Sequence, residues 1–129
     1  MKQKIYCVLG MHRSGTSIIA RSLPVFGISL AAPYIPEDEN NPTGYWEDKD
    51  IVQLNQQLLE ALDLSWDGLR LLHDTDFHTP KVRSLLLEGV QLIRSRLGNS
   101  SSAWGFKDPR TIRVLPFWLE IFACVGVEP

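Results

Sequence analysis

Apolar residues along this chain fall into short unbroken runs and into longer stretches that repeat with helical spacing. The run from Ile5 to Leu9 is apolar throughout and predicts a strand buried on both faces, which we expect at the centre of a parallel sheet. Trp104-Gly105-Phe106 predicts a second buried strand, and Ile28-Ser29-Leu30 predicts either a short strand or an extended connection. Because these runs alternate with helical stretches, the sequence predicts an α/β fold.

Four stretches have the spacing of amphipathic helices, with apolar residues three or four positions apart. The first contains Pro24, which is expected to distort its last turns, and its apolar stripe consists of Ile18, Ile19, Leu23 and Phe26. The third has the clearest limits, because Thr79-Pro80 is a typical helix start and Gly98 a typical stop. The predicted helices run over 16–26, from Asp48 or Asp50 to before Gly68, over 80–98, and from between Thr111 and Pro116 through Phe122.

The segment from Gly10 to Ser17 lies between the first strand and the first helix and has the spacing G-x-x-x-x-G of a phosphate-binding loop. Backbone N–H groups of such a loop can surround a phosphate or sulfate group. Nucleoside triphosphatases have lysine where this chain has Thr16, and the only cation of the loop is Arg13, which suits bidentate contact with phosphate or sulfonate oxygens. An anionic nucleotide is therefore the first expected ligand. The other interpretation is a plain helix-starting turn capped by Ser14 or Thr16.

Lys107 follows the second predicted strand and is expected to face the same anion as Arg13. Parallel strands place their carboxyl ends at one edge of a sheet, and ligands of open α/β sheets bind there. Arg110 is either a second contact to the anion or the partner of Asp108. The sequence thus predicts one anion site built by two loops whose cations lie 94 positions apart (107 minus 13).

Three segments resemble, in their order and spacing, the N-terminal half of sulfotransferases that use 3'-phosphoadenosine 5'-phosphosulfate (PAPS): Gly10–Ser17, Asn41–Asp48 and Trp104–Thr111. The likeness is to the bacterial branch of that family, which is similar to the tyrosylprotein sulfotransferases. It implies a P-loop-containing three-layer α/β fold with a parallel sheet flanked by helices, forming a single domain over residues 1–129. It also implies that the chain is truncated at the C-terminus and lacks the part that binds the 3'-phosphate of PAPS.

The resemblance implies a sulfotransferase, or the donor-binding portion of one, that moves a sulfuryl group from PAPS to a hydroxyl group of an unidentified acceptor. Lys107 is similar in position to the lysine that stabilises the leaving oxygen, and no metal is required where side chains supply the charge. His12 is expected to orient the loop rather than to abstract a proton. The implied donor-binding residues are His12, Arg13, Ser14, Gly15, Thr16, Ser17 and Arg110, and the implied catalytic residues are Arg13, Glu47 and Lys107.

Glu47 is the expected general base, at the junction between a loop and a helix. Burial beside Tyr45 and Trp46 would raise the pKa of its carboxyl group toward a useful range. Glu37 is the alternative base. A competing interpretation of Glu47 is a carboxylate that only interacts with the dipole of the following helix.

Composition narrows the range of partners. The 13 Lys and Arg residues against 15 Asp and Glu give a net charge of -2, which does not favour nucleic acid. No apolar run approaches the roughly 20 residues of a membrane span, and His73 and His78 offer no metal-ligand pattern. Cys7 and Cys124 are expected to be separate buried thiols, so the cytoplasm is the simplest location.

Two other functions stay open on the sequence. A P-loop nucleotide kinase would bind ATP with magnesium, and Thr16 in the lysine position argues against it. The second is an inactive, truncated nucleotide-binding or dimerisation module, because the exposed edge of a thin sheet would allow a homodimer.

Overall fold

The computed structural model describes residues 3–30, 34–98 and 103–129. Helices lie between the parallel strands along the chain, which confirms the α/β class. The strands are β1 (Lys4–Val8), β2 (Ser29–Leu30) and β3 (Ala103–Lys107). The α-helices are α1 (Thr16–Ser22), α2 (Lys49–Ala61), α3 (Pro80–Gly98) and α4 (Leu115–Val125). Short 3-10 helices cover Leu23–Phe26, Asp74–His78 and Pro109–Val114.

The described strands form one parallel sheet in the order β1-β3-β2. The prediction that the first strand is central is wrong, because β3 pairs with both of the others. An unbroken apolar run does not by itself distinguish a central strand from an edge strand, and β1 in fact exposes Tyr6. Val8 at the end of β1 is in register with Lys107 at the end of β3. The loops that follow these two strands therefore start side by side at one edge of the sheet.

The main hydrophobic core joins β3 to the helices α2, α3 and α4. Trp104 and Phe106 of β3 are buried in one cluster with side chains from all three helices, including Leu58, Ile93 and Ile121. Because side chains of a strand alternate between its two faces, Gly105 belongs to the opposite face of the sheet. That face receives Leu23, which directly follows α1.

The first helix is shorter than predicted and is oriented differently. The α-helix ends at Ser22, and a 3-10 helix follows it directly. The reason is that Pro24 has no N–H group with which to extend the α-helical pattern. Ile18 and Phe26 of the predicted apolar stripe are 72% and 75% exposed, so the described part of the chain does not bury that stripe. The side chain that α1 buries completely is the small Ala20, which allows the helix to approach the sheet closely.

Gly105 stands where β3 has no room for a side chain. A Cβ atom there would lie 2.8 Å from Cδ1 of Leu23 and 3.2 Å from the backbone oxygen of Tyr6. We expect Gly105→Ala to lower the free energy of unfolding by about 1–3 kcal/mol, because the neighbouring strand cannot move away freely. Urea denaturation measures this change. Gly98→Ala is the matched control, since no heavy atom would lie within 4 Å of its Cβ; equal stability of both variants would contradict the crowding.

Two observations bear on the other expectations. Both cysteines are free thiols. Cys7 is half-buried and Cys124 lies exposed near the end of α4, so the expectation that both are buried is wrong. Within the ranges that the structure describes, no helix combines the length and the apolar character needed to cross a membrane.

Candidate functional site

The loop between β1 and α1 folds back on itself in a conformation that needs particular residues. Arg13 and Gly15 have positive φ angles of 63° and 85°, and the arginine therefore adopts a backbone conformation that is uncommon outside glycine. Gly10 allows the loop to close, because a Cβ atom there would lie 2.7 Å from Thr16 Cγ2 and 2.8 Å from Ser14 Oγ. The loop thus holds its backbone in a compact arrangement directly after the strand.

The expected capping of α1 by Ser14 or Thr16 is not what the structure shows. Gly15 is the N-cap residue of α1, and no side chain caps the helix there. The hydroxyl of Ser14 donates instead to the carbonyl oxygen of Met11, at 2.5 Å, inside the loop. Neither Ser14 nor Thr16 therefore performs the capping role that the ordinary interpretation requires.

Lys107 is a buried cation at the end of β3, with 3% of its surface exposed. Its ammonium group donates to Glu47 Oε1 at 2.7 Å, to the backbone oxygen of Tyr45 at 3.1 Å and to Ser17 Oγ at 3.3 Å. A lysine has three N–H donors, and these three contacts occupy all of them. Ser17 lies in the first turn of α1, so Lys107 connects β3 both to the end of the loop between β1 and α1 and to the segment that carries Glu47.

Glu47 is the buried counter-ion of Lys107, with 6% of its surface exposed. Burial raises the pKa of its carboxyl group, and the hydrogen bond and charge of Lys107 oppose that shift without cancelling it. The residue is held in place by its neighbour Asp48, which caps α2 by accepting from the N–H groups of Asp50 and Ile51. Asp48 also forms a two-point ion pair with Arg96 of α3, at 2.7 and 3.1 Å. The N-cap of α2 is therefore Asp48, while Glu47 is the partner of Lys107 in a buried ion pair.

Arg13 and Lys107 both line one cavity of about 300 Å³. Its volume is at the lower end of the range for ligand sites. Among the described residues, no carboxylate lies within ion-pair distance of the exposed Arg13. The cavity is lined by His12, Arg13, Gly15, Thr16 and Ser17 from the loop-helix segment, and by Asn41, Tyr45, Glu47, Lys107 and Pro109 from elsewhere.

Three predicted residues lie outside the lining of this cavity. Ser14 contributes to the shape of the loop, as described above. Arg110 donates to Asp108 Oδ1 at 2.8 Å and lies 3.7 Å from Glu47 Oε2, so the partner role is the one that the structure shows for it. The alternative base Glu37 lines a separate cavity of about 380 Å³ together with Tyr34 and Trp46.

His12 belongs to the loop between β1 and α1 and lines the cavity. Its ring packs against the ring of Trp66. The two ring centroids lie 4.9 Å apart in an edge-on arrangement. Burial and the charge of Arg110 lower the pKa of the imidazole, so the neutral form predominates near neutral pH. A neutral ring packed on an aromatic side chain agrees with a role in orienting the loop.

Sequence reasoning missed several residues around this site. Asn41 and Tyr45 line the cavity but lie in an irregular segment whose path the sequence does not reveal. Asn55 is fully buried behind the site and bonded to Asp108. A signal for Asn55 does exist: it stands four residues after Ile51 and three before Leu58, on the apolar face of α2.

Throughout the described ranges, no cluster of three or more His, Cys, Asp or Glu side chains could hold a metal ion.

Comparison of the chain with protein-family models, with curated proteins and with solved structures gives no match in any of the three.

Proposed function

We propose that this chain binds the 5'-phosphosulfate end of PAPS in the cavity between the anion loop and β3. The corresponding activity is that of a PAPS-dependent sulfotransferase, or of the donor-binding portion of one. A P-loop-containing three-layer fold is part of the same proposal. The observation that carries it is the presence of Arg13 and Lys107 in the lining of one cavity, beside the compact backbone of the loop.

The charges around the cavity suit a sulfated nucleotide better than a free nucleoside triphosphate. Arg13 can offer two parallel N–H donors to phosphate or sulfonate oxygens. Lys107 supplies a second cation from the neighbouring strand, whereas Thr16 stands where a triphosphatase would have its lysine. The fixed cations supply the stabilisation of negative charge that the leaving group requires.

The proposed reaction follows from the roles of three side chains. The oxygen of an acceptor hydroxyl forms a bond to sulfur while the bond between sulfur and the bridging oxygen of the 5'-phosphate breaks. The electron pair of the broken bond stays on the bridging oxygen, where Lys107 stabilises it, and Glu47 takes the proton of the hydroxyl. The products are a sulfate ester and adenosine 3',5'-bisphosphate. Glu47 becomes available as a base when Lys107 exchanges its carboxylate partner for the oxygens of the donor.

Calorimetric titration with adenosine 3',5'-bisphosphate tests the proposal. We expect the parent protein to bind it and Arg13→Ala to weaken binding by at least about tenfold, because a hydrogen-bonded charge pair is lost. Arg94→Ala is the matched control, since Arg94 is an exposed arginine of α3 away from the cavity. No binding by the parent, or equal affinity of the two variants, would contradict the proposal.

The alternatives predict different results in the same measurements. A nucleotide kinase would bind ATP only with magnesium, and more tightly than it binds adenosine 3',5'-bisphosphate. A dimerisation module would have the mass of a dimer in light scattering. Arg13→Ala would leave that mass unchanged. Part of the outer edge of β1 is already paired, because the N–H group of Ile5 donates to the carbonyl oxygen of Glu128 at 3.2 Å.

A further inference from the structure

Four polar or amphipathic side chains form a closed cluster behind the anion site. Asn55 of α2, Asp108 and Thr111 after β3, and Trp118 of α4 are each 0% exposed. The amide nitrogen of Asn55 donates to Asp108 Oδ2 at 2.8 Å and to Thr111 Oγ1 at 3.0 Å. Its amide oxygen accepts from the indole nitrogen of Trp118 at 2.8 Å. The cluster therefore connects two core helices to the segment that follows Lys107.

The chemistry of the cluster allows one orientation of Asn55. An indole nitrogen can only donate, so Trp118 requires the amide oxygen of Asn55 on its side. The amide NH₂ group then faces Asp108, whose ionised carboxylate can only accept. Each buried polar side-chain atom of these four residues has at least one hydrogen-bond partner. A buried polar network bonded in this way makes a structure more rigid.

Asp108 connects the cluster to the charged groups of the site. Its second oxygen, Oδ1, accepts from the backbone N–H group of Arg110 at 3.1 Å and from the Arg110 guanidinium at 2.8 Å. Asp108 is thereby the N-cap of the 3-10 helix Pro109–Val114. Lys107 is the residue immediately before it, so the direction in which β3 ends depends on where Asp108 is held.

We propose that Asn55 is a positioning residue of the anion site, which acts through Asp108 to set the places of the Lys107 and Arg110 charges. This inference rests on the function proposed above. Asn55 lies outside the lining of the cavity, so its effect must pass through the segment after β3. A loss of the Asn55 amide frees one oxygen of Asp108 from its partner and lets that segment shift.

Two variants of α2 separate positioning from general stability. Asn55→Ala removes the amide, whereas Leu58→Ala removes a fully buried apolar side chain of the same helix outside the cluster. We expect Asn55→Ala to weaken binding of adenosine 3',5'-bisphosphate by at least about tenfold, because Lys107 is then no longer held in the place where it contacts the ligand. Leu58→Ala should weaken binding by less than about threefold at a temperature where circular dichroism shows the protein folded.

A spectroscopic measurement reports on Lys107 directly. Carbon-13 NMR titration of the Glu47 carboxyl group should show a higher pKa in Asn55→Ala than in the parent, because Lys107 is no longer held at 2.7 Å from it. Leu58→Ala should leave this pKa unchanged. Trp118→Phe removes the donor that orients Asn55 and serves as the second variant, with a smaller shift in the same direction, should Asn55→Ala not fold.

The outcomes distinguish this inference from the proposed function. A parent protein that does not bind adenosine 3',5'-bisphosphate overturns the proposed function, and the Glu47 titration still tests whether Asn55 positions Lys107. A parent that binds, with Asn55→Ala no weaker than Leu58→Ala and with an unchanged Glu47 titration, overturns the positioning role alone.

Discussion

Replacing Lys107 with methionine is expected to lower the free energy of unfolding by about 3–5 kcal/mol. The substitution keeps most of the aliphatic chain but removes the ammonium group that is hydrogen-bonded to Glu47. Glu47 is then a buried carboxylate without its cation, and Arg110 at 3.7 Å is too far away to replace a 2.7 Å contact. Urea denaturation at neutral pH measures the loss.

A double variant identifies the origin of this loss. Adding Glu47→Gln to Lys107→Met removes the buried charge, so the double variant should recover much of the stability. Lys81→Met on the exposed side of α3 is the matched control and should change stability by no more than about 0.5 kcal/mol. A Lys107→Met protein as stable as this control, or a double variant without recovery, would show that the pair is not a buried ion pair.

The stability of Lys107→Met should also depend on pH in a defined direction. Without Lys107, burial is opposed by the more distant charge of Arg110 but no longer by the direct ion pair, so the pKa of Glu47 rises further above its value in the unfolded chain. The folded state then binds a proton more tightly than the unfolded state. The free energy of unfolding of the variant therefore falls as the pH rises from the pKa of Glu47 in the unfolded chain to its higher pKa in the folded protein. The difference in the free energy of unfolding between the variant and the parent should therefore become smaller as the pH is lowered toward the pKa of Glu47. A gap that stays constant with pH would contradict this explanation.

The elements with local signals could be predicted closely from the sequence. Helix α3 begins at Pro80 and ends at Gly98 as expected, because a proline at the first position and a glycine at the end act within one turn of the helix. The strands β1 and β3 lie within one residue of the predicted apolar runs. Their order in the sheet could not be predicted, because both runs are short and apolar and only pairing decides which one is central.

The convergence of Arg13 and Lys107 on one cavity was predictable for a topological reason. Two parallel neighbours end at the same edge of a sheet whatever the length of chain between them, and Val8 and Lys107 are in register. The contacts of these cations were not predictable in the same way. Glu47 and Lys107 are 60 positions apart, and no spacing rule connects a residue before a helix with the end of a later strand.

The buried polar cluster marks the other limit of sequence reasoning. Asn55 could be recognised as a polar residue on an apolar helix face, but its partners Asp108 and Trp118 come from two different elements. Only the packing of α2 against α4 and the segment after β3 brings them together. Local patterns therefore specify the elements of this protein and the edge where they meet, while the ion pair and hydrogen bonds that shape the site depend on tertiary contacts.

Under the function proposed above, replacing Glu47 with glutamine is expected to slow sulfuryl transfer by about 10²–10⁴-fold, the usual contribution of a general base. Glutamine keeps an oxygen that can accept from Lys107, so the loop and β3 should stay connected. Donor binding should be unchanged or tighter, because the variant removes a negative charge from the lining of an anion cavity. The measurement is the rate of adenosine 3',5'-bisphosphate formation from PAPS with p-nitrophenol as acceptor, together with calorimetric titration.

The pH profile separates a base from a residue that only orients Lys107. Since burial raises the pKa of Glu47, the transfer rate of the parent should rise with pH through a value above that of an ordinary glutamate. The residual rate of Glu47→Gln should lack this rise, because no carboxylate remains to lose its proton. Glu37→Gln is the matched control, as Glu37 lines a different cavity. The opposite result would be a Glu37→Gln variant that loses the transfer rate and its rise with pH, together with a Glu47→Gln variant that keeps both. That result would assign the base to Glu37 and leave Glu47 as the counter-ion of Lys107.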